Sequence, residues 1–143
     1  MTSQFSIPNP QSLTPDPCIS AARKCLGTPF HHQGRTPGAG LDCIGLLVVA
    51  FRAAGINVRD RIDYGRRPDG RSLLAELDAH GFTPANEISA GNVLLFRYDR
   101  QPQHAALATG PDSMIHAFAP AGAVVETSIG EYWKRRLVGV YGI

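Results

Sequence analysis

The sequence predicts an α+β fold in which N-terminal helices pack on an antiparallel sheet of about five strands. Three segments with helical caps or glycine stops occupy the first part of the chain, and short apolar runs separated by turn residues follow Gly91. The length of 143 residues is typical of a single domain. With 43% hydrophobic and 18% charged residues, the chain can form a packed core.

The three predicted helices all end at a glycine. The first covers about residues 17–26, with Asp16 as N-cap, a proline at the first helical position and Gly27 as its stop. The second is the apolar segment IGLLVVAFRAAG, which follows Asp42. The third, RSLLAELDAHG, is amphipathic, because its leucines fall on one stripe.

The second half of the chain has the pattern of strands rather than helices. The apolar runs are NVLLFRY, HAALAT, SMIHAF, AVVETS and LVGVYGI. Before the first helix, residues 1–16 contain Pro8, Pro10 and Pro15 among polar residues, which is typical of an extended arm. The sequence therefore predicts an arm over residues 1–16 and one domain over residues 17–143.

Charge and hydropathy exclude several classes of protein. The net charge is only +2 and no basic stripe is present, so no nucleic-acid partner is expected. No run approaches the ~20 apolar residues of a membrane span. The N-terminus has neither a charged start nor an apolar stretch, so no secretory signal is expected. The three cysteines form no CxxC pair, and Cys18 and Cys25 are predicted to be small buried residues on one helical face.

Cys43 is the most informative residue, because it lies where a glycine-rich loop becomes a buried helix. Unpaired backbone N–H groups and the positive end of the helix dipole meet at such a position. The position predicts a lowered thiol pKa and donors for the oxyanion that forms when a thiolate attacks a carbonyl. Taken alone, Cys43 is better explained as an inert buried residue, as most free cysteines are.

Two histidines strengthen the functional interpretation of this cysteine. His104 opens one predicted strand, His116 lies in the next, and the turn near Gly110 makes them approximate cross-strand neighbours. Such a pair can form a relay in which one imidazole takes the thiol proton and the second imidazole orients the first through a hydrogen bond. A zinc site built from Cys43, His104 and His116 is an alternative, although no short ligand motif such as HExxH supports it.

Other polar residues near Cys43 are candidates for contact with a substrate. His31 and His32 lie on the loop that leads to Cys43, and Arg35 has the forked donor geometry that suits a carboxylate. Asp42 is predicted to be a helix cap and an anchor of the loop. The single tryptophan, Trp133, is predicted to serve in packing.

Three segments together resemble the NlpC-type (NlpC/p-sixty) cell-wall peptidases. They are GTPFHHQGRTPGAGLDCIGL, GNVLLFRYDRQPQHAALATG and MIHAF, and the likeness covers roughly residues 17–143. The likeness is greatest to the short members found in phages and gene-transfer agents. It implies a papain-like α+β fold, a cysteine at a helix start packed against a small sheet, and no metal or cofactor.

The resemblance also implies roles for the three residues. Cys43 would be the nucleophile, His104 the general base and later acid, and His116 the polar residue that orients His104. The backbone N–H of Cys43 would form part of the oxyanion hole. The implied substrate is the stem peptide of bacterial peptidoglycan.

The chain departs from the family pattern on the substrate side of the site. Many members have tyrosine at the position of Phe30, serine at that of Ile44 and glycine at that of Gln33. Phe30 cannot donate the hydrogen bond of a tyrosine hydroxyl. Ile44 places an apolar side chain at a position that, by the resemblance, contributes to recognition of the end of the peptide.

The expected function is that of a phage-tail-associated peptidoglycan hydrolase located at the virion tail tip, with the arm docking on other tail-tip proteins. Two alternatives stay open. One is a tail-tip structural protein with a weakly active or inactive domain, and the other is an exported antibacterial amidase effector.

Overall fold

The computed structural model describes residues 16–59, 70–98 and 102–142. The arm predicted over residues 1–16 lies outside these ranges except for Asp16, which is the N-cap of α1. The helices are α1 (Pro17–Lys24), α2 (Cys43–Ala53), α3 (Gly70–Ala79) and α4 (Glu131–Lys134), with a 3-10 turn at Ala119–Ala121. None of the helices in the described ranges has the length and apolar character that crossing a membrane requires.

The capping residues explain where α1 and α2 begin and end. The Asp16 carboxylate accepts hydrogen bonds from the first amides of α1, and that of Asp42 accepts one from Gly45 N–H in α2. Gly27 and Gly55 follow the two helices with φ angles of 85°, a backbone conformation that glycine adopts without a steric penalty. The predicted helix positions are confirmed.

One antiparallel sheet of six strands forms the second half of the fold. Its strands, in spatial order, are β3 (Thr83–Pro84), β8 (Leu137–Gly142), β4 (Val93–Arg97), β5 (Pro102–Gly110), β6 (Ser113–Phe118) and β7 (Ala123–Ser128). The sequence predicted about five strands, and the additional one is β3. Two residues, one of them a proline, are too few to show an alternating pattern, so this edge strand carried no signal.

The sheet has apolar residues on both faces. Leu46 and Phe51 of α2 pack on one face with Leu107 of β5. Trp133 of α4 packs on the opposite face with Phe96 of β4. Cys18 and Cys25 are both buried and unpaired, which confirms their prediction as small core residues. The N-terminal end of α2 consequently lies against the sheet rather than in solvent.

Candidate active site

The loop before α2 is held by close backbone packing. A short hairpin of β1 (Arg35–Thr36) and β2 (Gly40–Leu41) brings the loop back onto the helix. A Cβ atom on Gly45 would overlap the carbonyl oxygen of Gly34, so only glycine fits at this crossing. Gln33 has a φ angle of 62°, in the left-handed region that glycine prefers, at the position where many family members have glycine.

The Asp42 carboxylate fixes the start of α2 to this loop. Oδ1 accepts hydrogen bonds from Gly45 N–H at 2.8 Å and from Arg35 Nη1 at 3.1 Å, and Oδ2 accepts one from Gln33 N–H at 2.9 Å. Arg35 Nη1 also donates to the Gly34 carbonyl at 2.9 Å. The predicted cap-and-anchor role of Asp42 is confirmed. Arg35 forms an ion pair with it, and the contact predicted between Arg35 and a substrate carboxylate stays a prediction.

Cys43 is the first residue of α2, and its side chain is buried, with 5% exposure. Burial, and after it the charge of Asp42, raises the pKa of its thiol to about 12. Hydrogen bonds to the sulfur from the backbone N–H groups of Ala105, Ile44 and Cys43 lower this pKa, but by less than burial raises it. The predicted lowering of this pKa is therefore wrong, because loss of hydration outweighs the helix N-terminus. The resting residue is a neutral thiol supplied with donors that favour its anion.

His104 and His116 are joined directly across the β5–β6 hairpin. His104 Nε2 lies 2.7 Å from His116 Nδ1 in a buried hydrogen bond. Because the turn falls at residues 111–112 and Leu107 pairs with Ile115, continuing this register places the two histidines diagonally rather than directly opposite. The expected neighbour relation is confirmed, with a shift of register.

Aromatic rings enclose the two imidazoles. Trp133 stacks on His104 with ring centroids 5.3 Å apart, and Phe118 stacks on His116 at 5.0 Å. Burial, together with the proximity of His116, lowers the pKa of His104 to about 3, and burial lowers that of His116 to about 4. Both imidazoles are thus neutral at neutral pH, and a neutral imidazole can accept a proton.

The Cys43 sulfur lies against the start of β5, the strand that carries His104. The backbone N–H that acts on the Cys43 sulfur belongs to Ala105, the residue after His104. Since Nε2 of His104 is engaged with His116, Nδ1 is the ring nitrogen left for a proton from elsewhere. The neutral Cys43 thiol therefore lies against the backbone of Ala105, one residue after the neutral, oriented imidazole of His104.

The other predicted substrate-side residues lie in the loop and the first turn of α2. Phe30 is half-buried, packs against the helix-side core and donates its N–H to the Gly122 carbonyl at 2.8 Å. His31 is exposed, and its Nδ1 lies 2.9 Å from the carbonyl oxygen of the half-buried His32. Ile44 is half-buried against the same core. Their contact with a substrate stays a prediction.

Two residues at the site carried no functional signal in the sequence. Trp133 was expected only to pack, and it does so directly on the His104 ring. Thr127 was not singled out, and its Oγ1 lies 3.4 Å from His116 Nε2. The alternating pattern of AVVETS gives the face of each residue but not the strand that it will pair with. Within the described ranges, no group of three or more His, Cys, Asp and Glu side chains is arranged to hold a metal ion.

The neutral histidines predict a loss of stability in mild acid. Below pH 6.5 the unfolded chain binds protons at both imidazoles, whereas the folded chain does so only near pH 4 for His116 and near pH 3 for His104. Falling pH therefore favours unfolding, by up to about 1.4 kcal/mol per pH unit for each histidine. Urea unfolding across this range should show the slope, and His104→Gln should reduce it. An equal slope in wild type and variant would contradict the assignment.

The fold and this cluster define the chain as an α+β protein with a papain-like arrangement of a helix-start cysteine and sheet histidines. It belongs to the NlpC/P60 family, which it matches over residues 27–142. This finding confirms the family inferred from the sequence motifs.

Individual relatives agree with this assignment. The chain is 28% identical over 127 residues to the Gamma-DL-glutamyl hydrolase of Bacillus subtilis, covering 87% of this chain and 28% of that protein. It is 33% identical over 101 residues to a probable endopeptidase of Mycobacterium bovis, covering 69% of this chain and 22% of that protein. The chain thus spans less than a third of the length of either relative.

A solved structure shows the same fold. The crystal structure of an NlpC/P60 family protein from Bacillus cereus superposes with a TM-score of 0.68 at 21% identity, covering 96% of this chain and 42% of that one. This likeness supports the fold.

Proposed function

We propose that the protein is a cysteine peptidase that hydrolyses amide bonds in the stem peptides of bacterial peptidoglycan. The observation that carries the proposal is the 2.7 Å hydrogen bond between His104 and His116, which orients His104 at the strand position directly before Ala105, whose backbone N–H reaches the Cys43 sulfur. A nucleophile, a base and a group that orients the base are the parts that covalent amide hydrolysis needs.

The reaction starts from the neutral thiol and neutral imidazole. His104 Nδ1 takes the Cys43 proton as the sulfur attacks the amide carbonyl, so the buried site never holds a free thiolate before substrate arrives. Backbone N–H groups at the start of α2 stabilise the oxyanion of the tetrahedral intermediate. The imidazolium then gives its proton to the leaving amine, and a thioester on Cys43 remains.

Water completes the cycle. His104, neutral again, removes a proton from the attacking water, and the thioester opens to a carboxylic acid and a free thiol. His116 holds the His104 ring through the bond to Nε2 in both halves of the reaction and supports its temporary charge. No metal or cofactor is needed for any of these steps.

The activities for which the relatives are named support this class of substrate. They include a Gamma-DL-glutamyl hydrolase, probable endopeptidases and the Murein DD-endopeptidase MepS/Murein LD-carboxypeptidase of Escherichia coli. All three are named as hydrolases or peptidases, and two of the names refer to DL-glutamyl or murein substrates. For this chain, we propose a stem peptide of peptidoglycan as the substrate.

Purified peptidoglycan distinguishes this activity from other forms of wall degradation. The protein should release soluble peptides, with one new amino group for each bond cut and no new reducing sugar. Mass spectrometry of the products then identifies the bond. Release of reducing sugar, or no release of peptide from any peptidoglycan type, would contradict the proposal.

The finer proposal is that the protein acts at a phage tail tip. The resemblance to short phage-type members supports it, and the arm over residues 1–16 is proposed to dock on other tail-tip proteins. Mass spectrometry of purified virions should find the chain in the particle, and its absence would contradict this role.

The alternative of a tail-tip structural protein rests on Phe30 and Ile44. Many family members have a hydroxyl-bearing residue at each of these positions, tyrosine at the first and serine at the second. Such a scaffold, with a weakly active or inactive domain, would release little or no peptide from peptidoglycan while still being present in virions. The two assays together therefore separate a scaffold from an enzyme. The second alternative, an exported amidase effector, predicts peptide release together with absence from virions.

A further inference from the structure

A threonine extends the histidine pair into a chain of three polar groups. Thr127 lies on β7 and pairs in register with Met114 of β6, two residues from His116. Side chains two residues apart on a strand share a face, so Thr127 is the diagonal neighbour of His116. Its Oγ1 lies 3.4 Å from His116 Nε2, while His116 Nδ1 lies 2.7 Å from His104 Nε2.

The number of protons shared by His104 and His116 limits this hydrogen-bonded series to two arrangements. Each neutral imidazole has one N–H and one bare nitrogen, and only one proton can lie between His104 Nε2 and His116 Nδ1. If His116 carries its proton on Nε2, His104 donates from Nε2 and its Nδ1 is bare. If His116 carries its proton on Nδ1, His104 must be protonated on Nδ1 and cannot accept the thiol proton of Cys43.

We propose that Thr127 is a positioning residue whose hydroxyl oxygen accepts the His116 Nε2 proton and thereby selects the tautomer in which His104 Nδ1 is a base. The inference rests on the proposed peptidase function, since it is that reaction which needs a bare Nδ1. Thr127 acts through His116 and His104 and does not touch the reacting atoms.

The surroundings of His116 leave its ring little freedom to find another arrangement. Phe118 stacks on the ring at 5.0 Å, and Trp133 meets it edge-on at 5.2 Å with an interplanar angle of 87°. The ring is fully buried, with 0% exposure. Aromatic contacts fix the ring in place without choosing which nitrogen carries the proton, so the choice falls to the polar contacts at its two nitrogens. A threonine hydroxyl can donate or accept, and only its acceptor role at Nε2 leaves His104 Nδ1 bare; that role is the one we assign to Thr127.

Two substitutions at the same position separate the hydroxyl from the shape of the side chain. Thr127→Val keeps the branched shape and the strand preference but removes the acceptor, whereas Thr127→Ser keeps the acceptor. With a stem-peptide substrate, we expect Thr127→Val to lower kcat by roughly tenfold or more with KM unchanged, because fewer molecules hold a competent base. Thr127→Ser should retain most of the wild-type kcat.

The tautomers can be read directly from imidazole nitrogen NMR shifts of protein labelled at histidine. Wild type and Thr127→Ser should show His116 protonated on Nε2 and His104 bare on Nδ1, and Thr127→Val should show a mixture. Protonation of His116 on Nδ1 in the wild type, or equal kcat in wild type and Thr127→Val, would overturn the inference. Thermal unfolding of each variant checks that the fold is kept.

Failure of the proposed function gives a different result. If the wild type hydrolyses no stem peptide, the peptidase proposal fails, while the nitrogen spectra still show whether Thr127 sets the tautomer. If the wild type is active and the spectra do not change in Thr127→Val, only the role of Thr127 is overturned.

Discussion

Replacing Cys43 by alanine is expected to lower the rate of stem-peptide hydrolysis by about 10⁴-fold or more, because the sulfur forms the bond to the carbonyl carbon in the first step. His104 and the amides at the start of α2 cannot substitute for it, since neither can form the thioester. The measurement is the release of peptides and new amino groups from purified peptidoglycan at equal concentrations of wild type and variant.

The two other cysteines provide the control. Cys18 lies in α1 and is buried and unpaired, as Cys43 is, but it belongs to the core between α1 and α2. Cys18→Ala should therefore retain hydrolysis while losing some stability through the missing buried sulfur. Hydrolysis that persists in Cys43→Ala, or that disappears equally in Cys18→Ala, would contradict the assignment of the nucleophile.

Replacing Gly45 by alanine is expected to destabilise the protein by about 3 kcal/mol or more. The added Cβ would overlap the carbonyl oxygen of Gly34 in the backbone of the loop, which cannot move aside as a flexible side chain could. Helix propensity alone predicts the opposite sign, a gain of about 1 kcal/mol for alanine over glycine. The sign of the change therefore tests the close packing that holds the loop on α2.

Urea unfolding of Gly45→Ala against wild type measures this effect, with Gly130→Ala as the control. Gly130 has an ordinary φ angle of −84°, and a Cβ added there meets nothing within 4 Å. As the residue before α4, it should change stability by only about 1 kcal/mol. A Gly45→Ala protein as stable as wild type would show that the loop is not packed on the helix as described.

The sequence predicted the local parts of this fold because their causes are local. Asp16 and Asp42 cap α1 and α2 through amides only a few residues away, and such caps are visible in a linear sequence. The meeting of His104 and His116 was also predictable, since a short turn joins their strands and alternation puts them on one face. The small register shift came from the position of the turn.

What the sequence did not show depends on contacts between distant segments. The helix start predicted a lowered Cys43 pKa, but packing against the sheet buries the thiol, and its desolvation raises the pKa to about 12. Trp133 of α4 and Thr127 of β7 contact the histidines. Neither residue type nor spacing in the sequence predicts these contacts, because they join segments that are distant along the chain. Strand β3 is too short to show any period.

The central claim is that Cys43 attacks an amide carbonyl with His104 as its base. Rapid acid quenching during hydrolysis, followed by mass spectrometry of the digested protein, tests it most directly. We expect the peptide that contains Cys43 to carry the mass of the acyl part of the substrate, and the adduct to be missing in His104→Ala. Rapid hydrolysis with no such adduct at Cys43 while product is accumulating, together with full activity of Cys43→Ala, would contradict the claim.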